Sequence, residues 1–341
     1  MGLLDWFRQS TPSLGDERLS PDLINNTIAY LVKMTDSRLT LVPRYHERLS
    51  GPVRICLEFL MARRGDMPAV HDATALAWSL DPSLHAFFGA ADSMQEVFGS
   101  CDSLRNYAAQ SSPLDPIYAV LAMEYEENRH FGVGMQGQMV VRDVAQTALS
   151  FRQPRLRLFA RTEQDLWRSV ARRLLDELAV TALEHMEGEQ AQRRELAEQR
   201  QLISARLATF RQRGAGADSF LGGDGLLVSN DDSHALLQKL EENEAELAAL
   251  GGSEDLLERQ LGYLMEVLTE PAKHLQIERR TVRLDSMNVV CEGHSGEEVE
   301  FGVVSFTRQL PQRRAFLPLR VDRSLIGEGR KLKLDSAERW L

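Results

Sequence analysis

From Thr162 to Arg213 the chain contains no proline and a single glycine, Gly188. Across that stretch Leu166, Val170, Leu174, Leu178, Leu196, Ile203, Leu207 and Phe210 form a narrow apolar stripe in polar surroundings, the pattern of a long amphipathic helix. Thr162 and Asp165 supply a start close to a capping box. About fifty helical residues reach roughly 75 Å at 1.5 Å per residue, far more than a globular core needs. A stripe of that length requires a partner rod.

The partner is predicted from Ser233 onward, where Leu236, Leu240, Leu247, Leu250, Leu257, Leu261, Leu264 and Leu268 recur at near-heptad spacing. Gly251-Gly252-Ser253 interrupts it and Pro271 ends it. Residues 190–213 carry six arginines against two glutamates, whereas residues 232–250 carry five acids against one lysine. Antiparallel pairing sets those stretches side by side, each exposed pair adding about 0.3–0.5 kcal/mol. Between the rods, residues 214–232 hold five glycines in the first twelve positions, the chemistry of a flexible loop. Phe220, Leu221, Leu226, Leu227 and Val228 are embedded there. Apolar side chains in such a tip either fold back on the hairpin or anchor a partner.

Upstream, residues 20–130 read as a run of short helices. Leu23, Ile24, Thr27, Ile28, Leu31 and Val32 have helical spacing behind Ser20-Pro21, an N-cap with proline at the first helical position. A second helix is predicted from Pro52 to Arg63-Arg64-Gly65, smaller ones around 74–80, 84–88, 93–98 and 103–109, and a last one from Pro116 to about Asn128. Beyond residue 131 the texture changes. Met139–Val141, Ala145–Phe151 and Leu156–Ala160 are β-like, and so, far downstream, are Ile277–Leu284, Asn288–Glu292, Val299–Phe306 and Ala315–Val321. The predicted fold is α+β and mostly helical: an N-terminal bundle (20–130) after a flexible segment (1–19), a small antiparallel β-domain made of 131–161 plus 272–334, and a coiled-coil hairpin (162–271) inserted between its halves.

Chemical motifs are weak. Gly132, Gly134 and Gly137 match G-x-G-x-x-G, a possible phosphate loop. That motif works only between a buried strand and a helix N-terminus, and here polar Asn128-Arg129-His130 precedes while Gln138–Val141 resembles a strand. A helix C-cap and glycine turn explains it better. Glu127-x-x-His130 has di-iron spacing but no second copy, and His185 with Glu184 and Glu189 lies on the long rod. Gly293-His294-Ser295-Gly296 lacks the second glycine of a nucleophile elbow, since Glu297 follows, and reads as a hairpin turn. No metal and no cofactor is expected.

Charge adds one hint. The chain of 341 residues has a net charge of −10, yet residues 305–334 hold eight basic against two acidic side chains, with Phe306 and Phe316 interleaved. Arg308, Arg313, Arg314, Arg320 and Arg323 are thus candidates for nucleic-acid binding, although alternation would turn the aromatics inward as core. Cys56, Cys101 and Cys291 are at least 45 residues apart and suit free thiols in a reducing cytoplasm. Met1-Gly2-Leu3-Leu4-Asp5-Trp6-Phe7 is too short and interrupted for a signal segment, and no run approaches the roughly 18 apolar residues of a membrane span. The expected role is a non-enzymatic cytoplasmic interaction or scaffold protein, binding a protein partner or a second copy through the hairpin. Nucleic-acid binding is the alternative, and a nucleotide enzyme at Gly132–Gly137 the third reading.

Overall fold

The computed structural model describes residues 19–74, 76–136, 139–220, 230–251, 255–291, 295–307 and 312–326. The fold is α+β. Helices α1 (Pro21–Met34) and α2 (Tyr45–Ala62) lead to a short strand β1 (His71–Ala73) and four short helices: α3 (Ala77–Leu80), α4 (Pro82–Phe87), α5 (Ala91–Gly99) and α6 (Asp102–Gln110). Two long strands follow, β2 (Ile117–Gln136) and β3 (Met139–Ala160), then α7 (Glu163–Phe220), α8 (Asn230–Ala249), α9 (Leu256–Thr269) and the single turn α10 (Pro271–His274). Strands β4 (Leu275–Leu284), β5 (Glu297–Phe306) and β6 (Gln312–Val321) complete the described elements. Among the described residues no helix is long and apolar enough to cross a membrane.

All six strands share one sheet in the order β3-β2-β6-β5-β4, antiparallel throughout that path. Strand β5 pairs with only the first half of β6, and β1 takes the place beside its second half in parallel, His71 opposite Leu319 and Ala73 opposite Val321. The two β-rich chain segments therefore meet at the β2–β6 ladder, where Ile117 faces Val321 and Ala122 faces Phe316. β3 is an edge strand, which is why it tolerates Pro154: the register shifts beside it, at Ala122/Glu124, and Gln153 takes φ 52°.

The helix predicted over Pro116–Asn128 is instead the start of β2. Ile117, Ala119, Leu121, Met123 and Tyr125 are buried at period two, while Val120 and Ala122 occupy the opposite, also covered, face. A strand covered on both sides is apolar without interruption, so its sequence carries no period to distinguish it from a helix. The second predicted helix is present, but Pro52 lies inside α2 rather than at its start.

Nor does residues 20–130 form a bundle with its own core. Leu84, Phe87, Met94, Phe98 and Leu104 of α4–α6 belong to one continuous core with Leu121, Phe301, Val303, Leu317 and Leu319 of the sheet. Phe151 stacks on Phe87 at 4.3 Å and meets Phe301 edge-on at 5.3 Å, arrangements that add about 0.5–1.5 kcal/mol beyond area burial. Ser83 pins α4 to β5: its Oγ donates to the Glu300 carbonyl at 3.0 Å and accepts from the Glu300 N–H at 3.1 Å. The chain divides into two units, one containing 54–178 and 270–326 with the sheet, the other Pro21–Val53 and Ala179–Thr269. In the second, Ile28, Leu31, Leu39 and Leu49 are buried, as are Ala182, Met186, Leu261 and Leu264, and Arg48 pairs with Glu258 at 2.6 Å.

Candidate functional site

In the second unit α7 and α9 run antiparallel, as three successive contacts show. His185 meets the edge of Tyr263 (ring centroids 6.0 Å apart), Glu189 meets Arg259, and Arg193 reaches the carbonyls of Leu250 and Gly251. Glu189 is the centre of this polar cluster. Its side chain is only 6% exposed, and Oε1 accepts from Arg193 Nε at 3.1 Å and Arg259 Nε at 2.9 Å. Burial, together with the Glu189 charge, pushes the Tyr263 hydroxyl above its ordinary range. Gly251 has φ 75°, and a Cβ there would collide with the Arg259 guanidinium.

Beyond this cluster each helix has one covered stripe. On α7 Leu196 and Leu207 are buried and Ile203 half-buried, and on α8 Asn243 is buried and Leu236, Leu240, Leu247 and, just past its end, Leu250 half-buried; the residues between are mostly exposed. Asn243 is buried, with no hydrogen-bond partner for its amide among the described residues. Leu202 (55% exposed) and Leu237 (42%) lie outside these stripes. Of the charge pairing predicted between 190–213 and 232–250, Arg193 reaches the Leu250 backbone carbonyl, and its carboxylate partner, Glu189, lies on its own helix. Of the predicted partner-binding residues, Phe220 is the last residue of α7 and its side chain lies outside the description; Leu221, Leu226, Leu227 and Val228 lie outside the described residues.

The sheet unit holds a second polar cluster. Tyr125 donates its hydroxyl proton to Glu127 Oε1 at 2.7 Å, and Arg280 reaches both groups. Arg313 lies over the Tyr125 ring at 5.2 Å, and 3.5 Å from Glu127. The hydrogen bond from Tyr125 holds the Glu127 carboxyl below its usual range against the opposing effect of burial, helped by the two arginines. Burial first, and that same bond second, push the Tyr125 phenol up.

The arginines proposed for nucleic acid do not form a common surface. Arg313 and Arg314 are successive strand residues and face opposite sides of the sheet. Arg314 is 3.9 Å from Glu124, Arg320 makes a two-pronged pair with Asp72 at 2.6 and 2.9 Å, and Arg323 donates to Ser111 Oγ, Ser112 O, Ala108 O and Asp115 O, fastening the turn after α6. Arg308 lies outside the described residues. The phosphate-loop reading also fails its structural requirement. Gly132 and Gly134 sit within β2, paired with Val144 and Val141, so a strand rather than a helix follows them; Gly137 lies outside the described residues. A three-residue step along a strand likewise turns Glu127 and His130 to opposite faces, which removes the di-iron spacing. Among the described residues no group of three or more His, Cys, Asp or Glu is placed to hold a metal ion.

One cavity brings together residues that the sequence does not connect. It lies between the sheet face opposite α3–α6 and the first turns of α7, with a volume of about 680 Å³. Arg155, Arg157, Arg173 and Arg314 line it alongside one acid, Glu177. The signal was present as Arg155-Leu156-Arg157, where period two puts both arginines on one face and Leu156 in the core. Compared with known proteins, the chain matches no family, no curated protein and no solved structure.

Proposed function

We propose that this chain is a non-enzymatic interaction protein that engages a protein partner, or a second copy of itself, through the α7–α8 hairpin. The carrying observation is the narrowness of the covered stripe. Helix α7 has 58 residues, roughly 87 Å at 1.5 Å per residue, yet over residues 194–209 only Leu196 and Leu207 are buried. Helices that bury one stripe and present three polar faces, with Leu202 and Leu237 exposed on them, serve as a surface rather than as a core. The apolar residues of the 214–232 tip extend that surface in sequence.

Photo-crosslinking residues introduced at Leu202 and Leu237 in the source cells, with Leu114 (94% exposed) as the control position, test this reading. Discrete adducts at the two hairpin positions, lost on deletion of residues 215–230, are expected. Adducts equal to those at Leu114, or unchanged by the deletion, would discard the hairpin as the contact.

A further inference from the structure

The cavity beneath α7 is chemically polarised, and its polarity follows from strand order. At the β3 edge Arg157 stands opposite Val120 and Arg155 opposite Ala122. Crossing the sheet, Ala122 faces Phe316 on β6, and further on Val304 of β5 faces Ile277 of β4. Phe316 lies flat because its neighbour on β5 is Gly302, where a Cβ would collide with the ring. Val170 and Leu174 of α7 close the cavity from above. The β3 end therefore presents Arg155 and Arg157 and the β4 end Val304, Phe306 and Ile277, with Arg314 on the central strand β6 beside Val304. Four strand spacings of about 4.8 Å make that span roughly 19 Å, the reach of a long acyl chain, and the volume falls within the roughly 300–1,000 Å³ of small-molecule sites.

The charges lining the cavity are not all neutralised from within. Arg173 pairs with Glu177 at 2.5 Å, one turn along α7, and Arg314 lies near Glu124. Among the described residues Arg155, by contrast, reaches only the neutral Gln153 at 3.4 Å, and Arg157 has no acidic partner. Two such guanidiniums on one face of an edge strand, both exposed, form a donor array suited to a carboxylate. From this complementarity we infer that the cavity binds a single-chain fatty carboxylate, with its head group on Arg155 and Arg157 and its chain running over Phe316 toward Ile277 beneath α7.

Titration calorimetry on the delipidated full chain tests the assignment, with dodecanoate, dodecanol and butyrate as probes. Dodecanoate should bind saturably at one per chain, and dodecanol at least tenfold more weakly because it forgoes the charge-assisted bonds. Butyrate should not bind measurably. The double variant Arg155→Ala/Arg157→Ala changes exposed side chains, so its circular dichroism and Tm should match the parent. It should lose at least tenfold in dodecanoate affinity while keeping dodecanol within twofold. Ala122→Leu, which fills the floor, should abolish both. Absent or non-saturable binding, equal affinity for acid and alcohol, or an unchanged dodecanoate affinity in the double variant or in Ala122→Leu would overturn the assignment.

Discussion

Glu189 offers the sharpest test of how the hairpin is held. Its carboxylate accepts two guanidinium hydrogen bonds at 2.9 and 3.1 Å while its side chain is 6% exposed. Removing it by Glu189→Ala forfeits two charge-assisted bonds, each worth about 1.5–3 kcal/mol, and leaves two cations partly buried. Breaking a fully buried pair costs about 3–5 kcal/mol. Here Arg193 and Arg259 remain 19% and 27% exposed, so water recovers part of that loss, and Arg193 keeps its carbonyl acceptor at Gly251. The expected cost is about 2–3 kcal/mol. With a urea slope of about 2 kcal/mol/M, the midpoint of helix loss by far-ultraviolet circular dichroism should fall by about 1 M. A cycle with Arg259→Ala separates the pair from its surroundings, and the coupling should be about 1–2 kcal/mol, since the double variant no longer strands Arg259. A midpoint unchanged in Glu189→Ala, or a coupling below about 0.5 kcal/mol, would refute the view that this carboxylate locks α7 to α9.

Other consequences concern the sheet unit and α7. Asp81 caps α4, accepting from Ser83 N at 2.8 Å and Leu84 N at 3.3 Å, and its Oδ2 is hydrogen-bonded with His71 Nδ1 at 2.6 Å; burial pushes its carboxyl up, but these bonds outweigh it and the net shift is downward. A depressed folded value means full stabilisation above the unfolded value of about 3.9 and loss as the pH falls through the folded one. Asp81→Ala should therefore cost about 1–2 kcal/mol at neutral pH, with the Tm gap to the parent constant down to about pH 5 and closing below about pH 4; a gap that widens on acidification contradicts this. Cys56 is fully buried and burial pushes its thiol up to about 12, so a thiol-specific disulfide reagent at mildly alkaline pH should modify Cys101 and Cys291 first and Cys56 only on unfolding. Equal rates for all three would show that α2 opens in the native state. Gly302→Ala should destabilise by about 1–3 kcal/mol by displacing the Phe316 ring, whereas Gly188→Ala, in open space on α7, should stabilise by about 0.5–1 kcal/mol; paired melting curves with the opposite signs would contradict the packing described.

How much of this was legible follows from which signals are local. The α7 helix could be read because forty-odd residues repeat one period without a breaker, and α8, α9 and their interruption at Gly251 for the same reason. Strands β4, β5 and β6 were visible through short β-branched runs bounded by turn residues. Strand β2 was not, because its start is apolar on both faces and rich in residues such as Ala, Leu and Met that also favour helices. The affiliation of α4–α6 with the sheet was equally hidden: Leu84, Phe98 and Leu104 announce a buried face but not its partner. Arg313 and Arg314 looked like a basic patch because a charge count ignores the alternation that separates them. Of the arginines lining the cavity, Arg155 and Arg157 fell outside that count, and only the placement of α7 over the sheet brings them to notice.

The polar residues of the hairpin seam are the least economical feature of the molecule, and they bear on the interaction reading. An all-leucine seam would be more stable, yet it would tolerate slippage by a heptad, since each new alignment again sets leucine against leucine. A slip of seven residues moves a helix by about 10 Å at 1.5 Å per residue, which would part Glu189 from Arg259 and Arg193 from the Gly251 carbonyl. Asn243 adds a buried amide at a single seam position, the best-attested way for a coiled coil to trade stability for one register. A fixed register matters little to a helix pair whose task is only to fill space. It matters if Leu202 and Leu237, on different helices, must keep a constant separation on the outer faces, and a surface read by a partner imposes that requirement.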